Sequence, residues 1–122
     1  EVFYFDSYAI VEIIKGNENY LKYTDAIIII TKLNLFEVYY GILRDGTEYD
    51  ADQFIENYRK YAINYDENVI KDAAMLKLEC RKRNLSMADC IGYGVAKKWG
   101  VRFLTGDKEF EQMENVEFVK YR

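Results

Sequence analysis

The chain has 122 residues, of which 50% are hydrophobic and 31% charged, and this balance predicts a folded domain rather than a disordered chain. The sequence contains no His, which excludes a Ser-His-Asp triad, His-based acid–base catalysis and zinc sites with His ligands. The formal net charge of −4 does not suggest a nucleic-acid-binding protein from bulk electrostatics, although it is compatible with a metal site built from carboxylates.

Length predicts a single domain over residues 1–122. The longest apolar run, Ala26–Ile30, is far too short to cross a membrane, and no signal peptide is visible, so we expect a cytoplasmic protein. The two cysteines, Cys80 and Cys90, lack CxxC spacing, which favours buried reduced thiols over a disulfide framework.

Apolar runs alternate with helical patterns through the first half of the chain. The predicted elements are, in chain order, a strand at Val2–Phe5, a helix from Asp6-Ser7 to Gly16, a short amphipathic piece at 19–23, a strand at Ala26–Ile30, a helix at Leu33–Leu43 and a helix from Asp50. The second strand is the most β-branched run in the chain. Thr31 is placed to cap the helix that follows it, and Gln53 follows Asp50 at capping-box spacing.

The second half repeats this alternation. Its predicted elements are a weakly signalled strand at Ala62–Tyr65, a long helix from Asp66 to about Arg83, a helix from Ser86 to Gly100, a strand at Val101–Leu104, a helical turn at Lys108–Met113 and a last strand at Val116–Val119. Strands that alternate with helices favour a parallel α/β sheet.

Four acidic residues lie where such a sheet would bind a ligand. Asp6 and Asp107 follow apolar strands, Glu37 lies about two turns into the helix after the second strand, and Asp89 begins a helix. Four carboxylates in one crevice would repel one another, and a divalent cation would relieve that repulsion. Oxygen ligands without His favour Mg²⁺ or Mn²⁺, a chemistry suited to phosphodiester hydrolysis.

Each acid also has a purely structural explanation, and the sequence leaves both open. Asp6 and Asp107 are placed to cap the turns that follow them, and Asp89 completes a capping box with Ser86. Glu37 could lie on the solvent face of its helix.

Four motifs together resemble those of PIN domains, the nuclease fold of VapC-type toxins. They are Asp6-Ser7-Tyr8-Ala9 after the first strand, the run from Asn34 to Gly41, the run from Ala88 to Ile91 with Ala96 and Gly100, and the run from Leu104 to Phe110. The resemblance covers nearly the whole chain, and the four motifs occur in the order expected of the family.

The resemblance implies a three-layer α/β/α sandwich around a central parallel sheet of four or five strands. It also implies Mg²⁺- or Mn²⁺-dependent ribonuclease activity, with the catalytic and metal-binding roles falling to Asp6, Glu37, Asp89 and Asp107.

Further positions in these motifs take supporting roles by the same resemblance. Ser7 and Thr105 would orient carboxylates and waters, and Asn34 stands where the family often has Thr. Glu109 falls where many members have another Asp, and it would touch substrate or a metal-bound water.

The resemblance further implies the toxin of a type II toxin–antitoxin pair, with RNA as substrate, an antitoxin protein as partner and a homodimer as assembly. Basic residues such as Lys97, Lys98 and Arg102 either contact RNA phosphates or form solvated helix ends. Tyr39 and Tyr40 adjoin on one helix, so only one of them can face a dimer or antitoxin groove.

Two other functions compete with this interpretation. The first is a non-catalytic PIN-like module for RNA processing or scaffolding, which the presence of all four acids disfavours. The second is a receiver-type domain whose clustered acids bind Mg²⁺ and accept a phosphoryl group, and its required Lys is poorly matched by Lys108, which follows an acid directly.

Overall fold

Four parallel strands form the centre of the computed structural model, which describes residues 1–120. In chain order they are β1 (Val2–Phe5), β2 (Ile27–Ile29), β3 (Arg102–Thr105) and β4 (Val116–Phe118). Their order across the sheet is β2-β1-β3-β4, and all three pairings are parallel. The carboxyl ends of all four strands therefore meet at one edge of the sheet.

Five α-helices and three short 3₁₀ helices connect these strands. The α-helices are α1 (Ser7–Lys15), α2 (Lys32–Asp45), α3 (Glu48–Tyr58), α4 (Glu67–Glu79) and α5 (Met87–Trp99). The 3₁₀ helices are Glu18–Tyr23, Arg59–Tyr61 and Lys108–Phe110. Among the described residues, no helix is both long enough and apolar enough to cross a membrane.

The alternation of side chains along β1 divides the core into two parts. Phe3 and Phe5 pack with residues of α1, α2 and α3 on one face of the sheet. Tyr4 packs on the other face with Phe103 and with residues of α4 and α5. Helices thus cover both faces, and the predicted three-layer α/β/α fold is confirmed with the smaller of the two predicted strand numbers.

The segment predicted as a weak strand at Ala62–Tyr65 is not a strand in the structure, and this prediction was wrong. A single isolated bridge joins Ile30 to Ala62, with the Ile63 amide donating to the Ile30 carbonyl at 2.9 Å. The pairing stops after this bridge, because the partner segment leaves the sheet at Thr31, the N-cap of α2.

Two helix boundaries also differ from the sequence prediction. Helix α3 begins before Asp50, because the hydroxyl of Thr47 caps it by accepting from the Asp50 N–H at 3.1 Å. Helix α4 ends at Glu79 rather than near Arg83, since the Arg83 N–H turns back to the Cys80 carbonyl at 2.8 Å. The chain between Cys80 and α5 is therefore a loop.

We expect Gly92→Ala to destabilise the protein, because an added Cβ would lie 2.5 Å from Cε1 of the buried Tyr4 ring. Overpacking of this kind costs about 1–3 kcal/mol in the free energy of unfolding. Gly94→Ala on the same helix is the matched control, since its Cβ would lie at an ordinary 3.4 Å from Val69. The control should be neutral or gain up to about 1 kcal/mol from helix propensity. Urea denaturation of both variants measures the difference, and equal stabilities would contradict this packing.

Candidate active site

The four acids predicted from the sequence line one pocket of about 540 Å³ at the carboxyl edge of the sheet. Asp6 directly follows β1, and Asp107 lies two residues beyond the neighbouring β3. Glu37 reaches the pocket from the second turn of α2, and Asp89 from the first turn of α5. The structure thus brings the four side chains to one pocket, while their catalytic and metal-binding roles stay predictions.

Asp6 is the buried member of the set, with 1% of its surface exposed. Its Oδ1 accepts from the Ala9 N–H at 2.7 Å, which caps α1, and its Oδ2 accepts from the Thr105 hydroxyl. Burial raises the pKa of Asp6 well above its ordinary value, and the charges of Asp89 and Asp107 raise it further. Asp6 therefore caps α1 and also lines the pocket, while its catalytic role stays a prediction.

Thr105 connects the two strand-end acids. Its hydroxyl donates to Asp6 and also accepts from the Asp107 N–H at 2.9 Å. Asp107 in turn accepts from the Glu109 N–H at 2.9 Å and so caps the 3₁₀ helix that follows. Glu109 lies outside the lining of the pocket, and its predicted contact with substrate stays a prediction.

A chain of hydrogen bonds holds Glu37 from behind. The Ser7 hydroxyl donates to Glu37 Oε1 at 2.6 Å, and Asn34 Nδ2 donates to the Ser7 oxygen at 3.1 Å. The amide oxygen of the buried Asn34 accepts from the Thr31 N–H at 3.0 Å and from the Tyr4 hydroxyl. Because both of these contacts of the amide oxygen are buried, the Asn34 amide is held in one orientation, and its Nδ2 fixes the position of the Ser7 hydroxyl.

Asp89 stands at the start of α5, where the Ser86 hydroxyl accepts from its backbone N–H at 3.0 Å. Burial raises the pKa of Asp89 to about 6, and the charges of Glu37 and Asp107 add to this shift. Hydrogen bonds from Ser86 oppose it. A positive charge near the carboxyl group of Asp89 would therefore favour its ionised form and lower its pKa.

Sequence reasoning missed several residues that line the same pocket. They are Tyr8, Val11, Glu12 and Lys15 of α1, together with Asn84 and Ser86 of the loop before α5. Glu12 is buried, and its Oε1 accepts from Asn17 Nδ2 at 2.8 Å. Positions 8, 11, 12 and 15 follow the i, i+3, i+4, i+7 pattern of one helical face, so the period of α1 could have assigned them to a common face.

The donor set suits a hard divalent cation, although the carboxylates stand apart in the structure. Within residues 1–120, no three His, Cys, Asp or Glu side chains are close enough to hold one ion together. Every acidic group that faces the pocket offers oxygen. Burial, together with the charges of neighbouring acids, raises the pKa of both Asp6 and Asp89. Mg²⁺ and Mn²⁺ accept such ligands, directly or through bound water.

A comparison of the sequence with protein-family models identifies the domain class to which this fold and pocket belong. The PIN domain family matches residues 3–116, so this chain belongs to the PIN domain family, as the motifs predicted. A search of curated protein sequences gives no significant match.

Solved structures from three toxin–antitoxin systems share the fold. One is a chain of the toxin–antitoxin complex from Klebsiella pneumoniae, with 17% identity, a TM-score of 0.71 and coverage of 93% of this chain and 94% of that one. Another is VapBC2 from Rickettsia felis bound to a DNA fragment from the promoter, with 16% identity, a TM-score of 0.70 and 97% coverage of both chains. VapBC-1 from nontypeable Haemophilus influenzae has 12% identity, a TM-score of 0.73 and coverage of 99% and 98%. At these identities the similarity establishes the fold.

We expect the metal-free protein to lose stability as the pH rises from about 4 to about 6. The pKa of Asp89 is raised from 3.8 to about 6, so in this window the folded chain holds more protons than the unfolded chain. The free energy of unfolding then falls with rising pH, by up to about 3 kcal/mol for this group. Asp89→Asn should flatten the curve partly, because Asp6 contributes in the same direction.

The measurement is urea denaturation in a chelating buffer at several pH values across and beyond this window. Asp25→Asn, at an exposed turn, is the control and should retain the full slope. If Asp89→Asn and the wild type show the same pH dependence, the electrostatic description of the pocket is wrong.

Proposed function

We propose that this chain is a Mg²⁺- or Mn²⁺-dependent endoribonuclease that hydrolyses RNA phosphodiester bonds. The observation that carries the proposal is the shared pocket of Asp6, Glu37, Asp89 and Asp107 at the sheet edge of a PIN domain. A divalent ion bound there would activate water and stabilise the charge that develops on the leaving oxygen.

The residues of the pocket would hold such an ion and keep its ligands in place. The strand ends supply the carboxylates of Asp6 and Asp107. Helix α5 supplies that of Asp89, and α2 supplies that of Glu37. The Ala9 N–H and the Thr105 hydroxyl each hold one oxygen of Asp6, and Ser7 holds one oxygen of Glu37. Each carboxylate oxygen has two lone pairs, so those not used in these hydrogen bonds would be available for the ion or for its waters.

We further propose that the protein is the toxin of a type II toxin–antitoxin pair. Support comes from the shared fold with chains of toxin–antitoxin complexes, two of which are named VapBC. The partner would then be an antitoxin protein that blocks the pocket, and RNA in the cytoplasm would be the substrate. The alternative is a non-catalytic PIN-like module for RNA processing or scaffolding, which the cleavage test below decides.

We expect the purified chain to cleave a labelled single-stranded RNA with Mn²⁺ or Mg²⁺ and not with a chelator. Asp6→Asn and Asp89→Asn should each reduce cleavage by more than about 100-fold, because each removes a ligand of the ion. Both variants should melt at the wild-type temperature or above without metal, since the change relieves like-charge repulsion. Asp25→Asn is the control and should cleave normally.

Metal binding has a readout that does not depend on cleavage. Mn²⁺ should raise the melting temperature of the wild type by mass action and should raise that of Asp89→Asn less. A wild type that leaves RNA intact and melts unchanged with Mn²⁺ would favour the non-catalytic alternative.

We expect a homodimer formed through apolar side chains of α2. Phe36 and Tyr40 are 71% and 55% exposed, and their rings stack one helical turn apart with centroids 6.5 Å apart. The neighbouring Tyr39 instead turns towards α3 and donates to Asp52 at 2.7 Å, so the two adjacent tyrosines face apart as predicted. Exposed aromatic side chains are enriched at protein interfaces.

Sedimentation of the wild type and of Phe36→Ser/Tyr40→Ser tests this assembly, and the double variant should be monomeric. Tyr49→Ser on α3 is the matched control, because Tyr49 is equally exposed at 70%. A wild type that stays monomeric at the highest attainable concentration would contradict the dimer.

A further inference from the structure

A second groove adjoins the acidic pocket on the side of β4. Its volume is about 760 Å³, and Tyr8 and Asp107 line both depressions. The remaining lining includes Lys108, Phe118 and Lys120. A chain bound in the acidic pocket would therefore meet this groove next.

The Tyr8 ring forms the wall between the two depressions, and Gly106 sets its position. A Cβ at Gly106 would lie 2.3 Å from Cε1 of Tyr8 and 2.6 Å from the hydroxyl of Tyr20. The ring therefore lies directly against the backbone of residue 106, between Thr105 and Asp107. Phe118 is half-buried at the end of β4, so two partly exposed aromatic rings line one groove.

The groove also carries two lysines that form no ion pair among the described residues, beside the acidic Asp107 and Glu111. Within residues 1–120, neither Lys108 nor Lys120 forms an ion pair, and both side chains are exposed. Lys97, Lys98 and Arg102, which the sequence also offered as RNA contacts, each form an ion pair with an acidic side chain. Lys108 and Lys120, which lie beside the acidic pocket, are therefore among the cations that can still bind an anionic ligand.

We propose that this groove binds the nucleotide next to the scissile phosphodiester of a single-stranded RNA. Its base stacks on Tyr8 and Phe118, and its phosphate lies near Lys108 and Lys120. Aromatic rings beside cations are the usual combination for binding single strands, since any base can stack on a ring and each phosphate needs a positive charge. The inference rests on the proposed function, because it places the cleaved bond in the acidic pocket.

Binding is measured by the fluorescence anisotropy of a short labelled single-stranded RNA, in a chelating buffer that prevents cleavage. Tyr8→Leu should weaken binding about tenfold, whereas Tyr8→Phe retains the ring and should bind as the wild type does. Tyr49→Leu, on the exposed face of α3, is the matched control and should have no effect.

The salt dependence of binding tests the lysines separately. Each phosphate contact that is lost lowers the slope of log K against log salt by about 0.7 for a single strand. Lys108→Ala/Lys120→Ala should therefore reduce the slope by about 0.7, because the two lysines share one phosphate, and Lys71→Ala on α4 should leave it unchanged. Glu111→Gln removes the acidic residue at the rim of the groove and should tighten binding.

Cleavage kinetics with Mn²⁺ separate this inference from the proposed function. In a cleaving wild type, the groove variants should raise KM by a larger factor than they lower kcat, since the groove binds the nucleotide beside the reacting bond. Wild-type cleavage with unchanged affinity and salt slope in the groove variants would overturn the groove and leave the nuclease proposal standing. Binding that depends on Tyr8 and the two lysines without any cleavage would support the groove and contradict the nuclease. A wild type that binds no RNA would overturn the groove.

Discussion

The buried carboxyl group of Asp6 is the constraint on which the rest of the site depends. A carboxylate taken out of water must be satisfied by hydrogen bonds, and here the first turn of α1 and the Thr105 hydroxyl provide them. The backbone N–H of Asp6 also donates to the Leu104 carbonyl at 3.1 Å, which extends the pairing of β1 with β3 beyond the strand. Asp6 thus follows strand β1 directly, caps helix α1 and places its carboxyl group at the edge of the sheet.

The two helical layers deliver the other acids from opposite sides of the sheet. Helix α2 belongs to the layer that covers Phe3 and Phe5, and it carries Glu37, whereas α5 belongs to the layer that covers Tyr4 and carries Asp89. Only the edge of the sheet is accessible to both layers. The topology therefore gathers acids at one place, where burial and the charges of Glu37 and Asp107 raise the pKa of Asp89. A stable fold thus holds an arrangement of carboxyl groups that is electrostatically unfavourable.

Local signals in the sequence predicted most of the fold and the four acids that share one pocket. Strand ends and helix caps are set by neighbouring residues, so Asp6 and the start of α5 at Ser86 could be placed correctly. The hydrogen bonds behind Glu37 could not be placed in this way, because Tyr4 and Asn34 are 30 positions apart in the sequence. The failed strand at Ala62–Tyr65 shows the converse, since a short apolar run cannot reveal that its partner segment leaves the sheet after a single bridge.

The contacts of Tyr4 have a consequence for the evolution of the family. Its hydroxyl needs the Asn34 amide as an acceptor, and its ring needs the bare backbone of Gly92 on α5. A Phe at position 4 would leave the Asn34 amide oxygen with Thr31 as its only partner. A smaller residue at position 4 would make room for a side chain at position 92. These three positions, which lie on three separate elements, should therefore vary together among relatives, and pairs of substitutions should be tolerated where single ones are not.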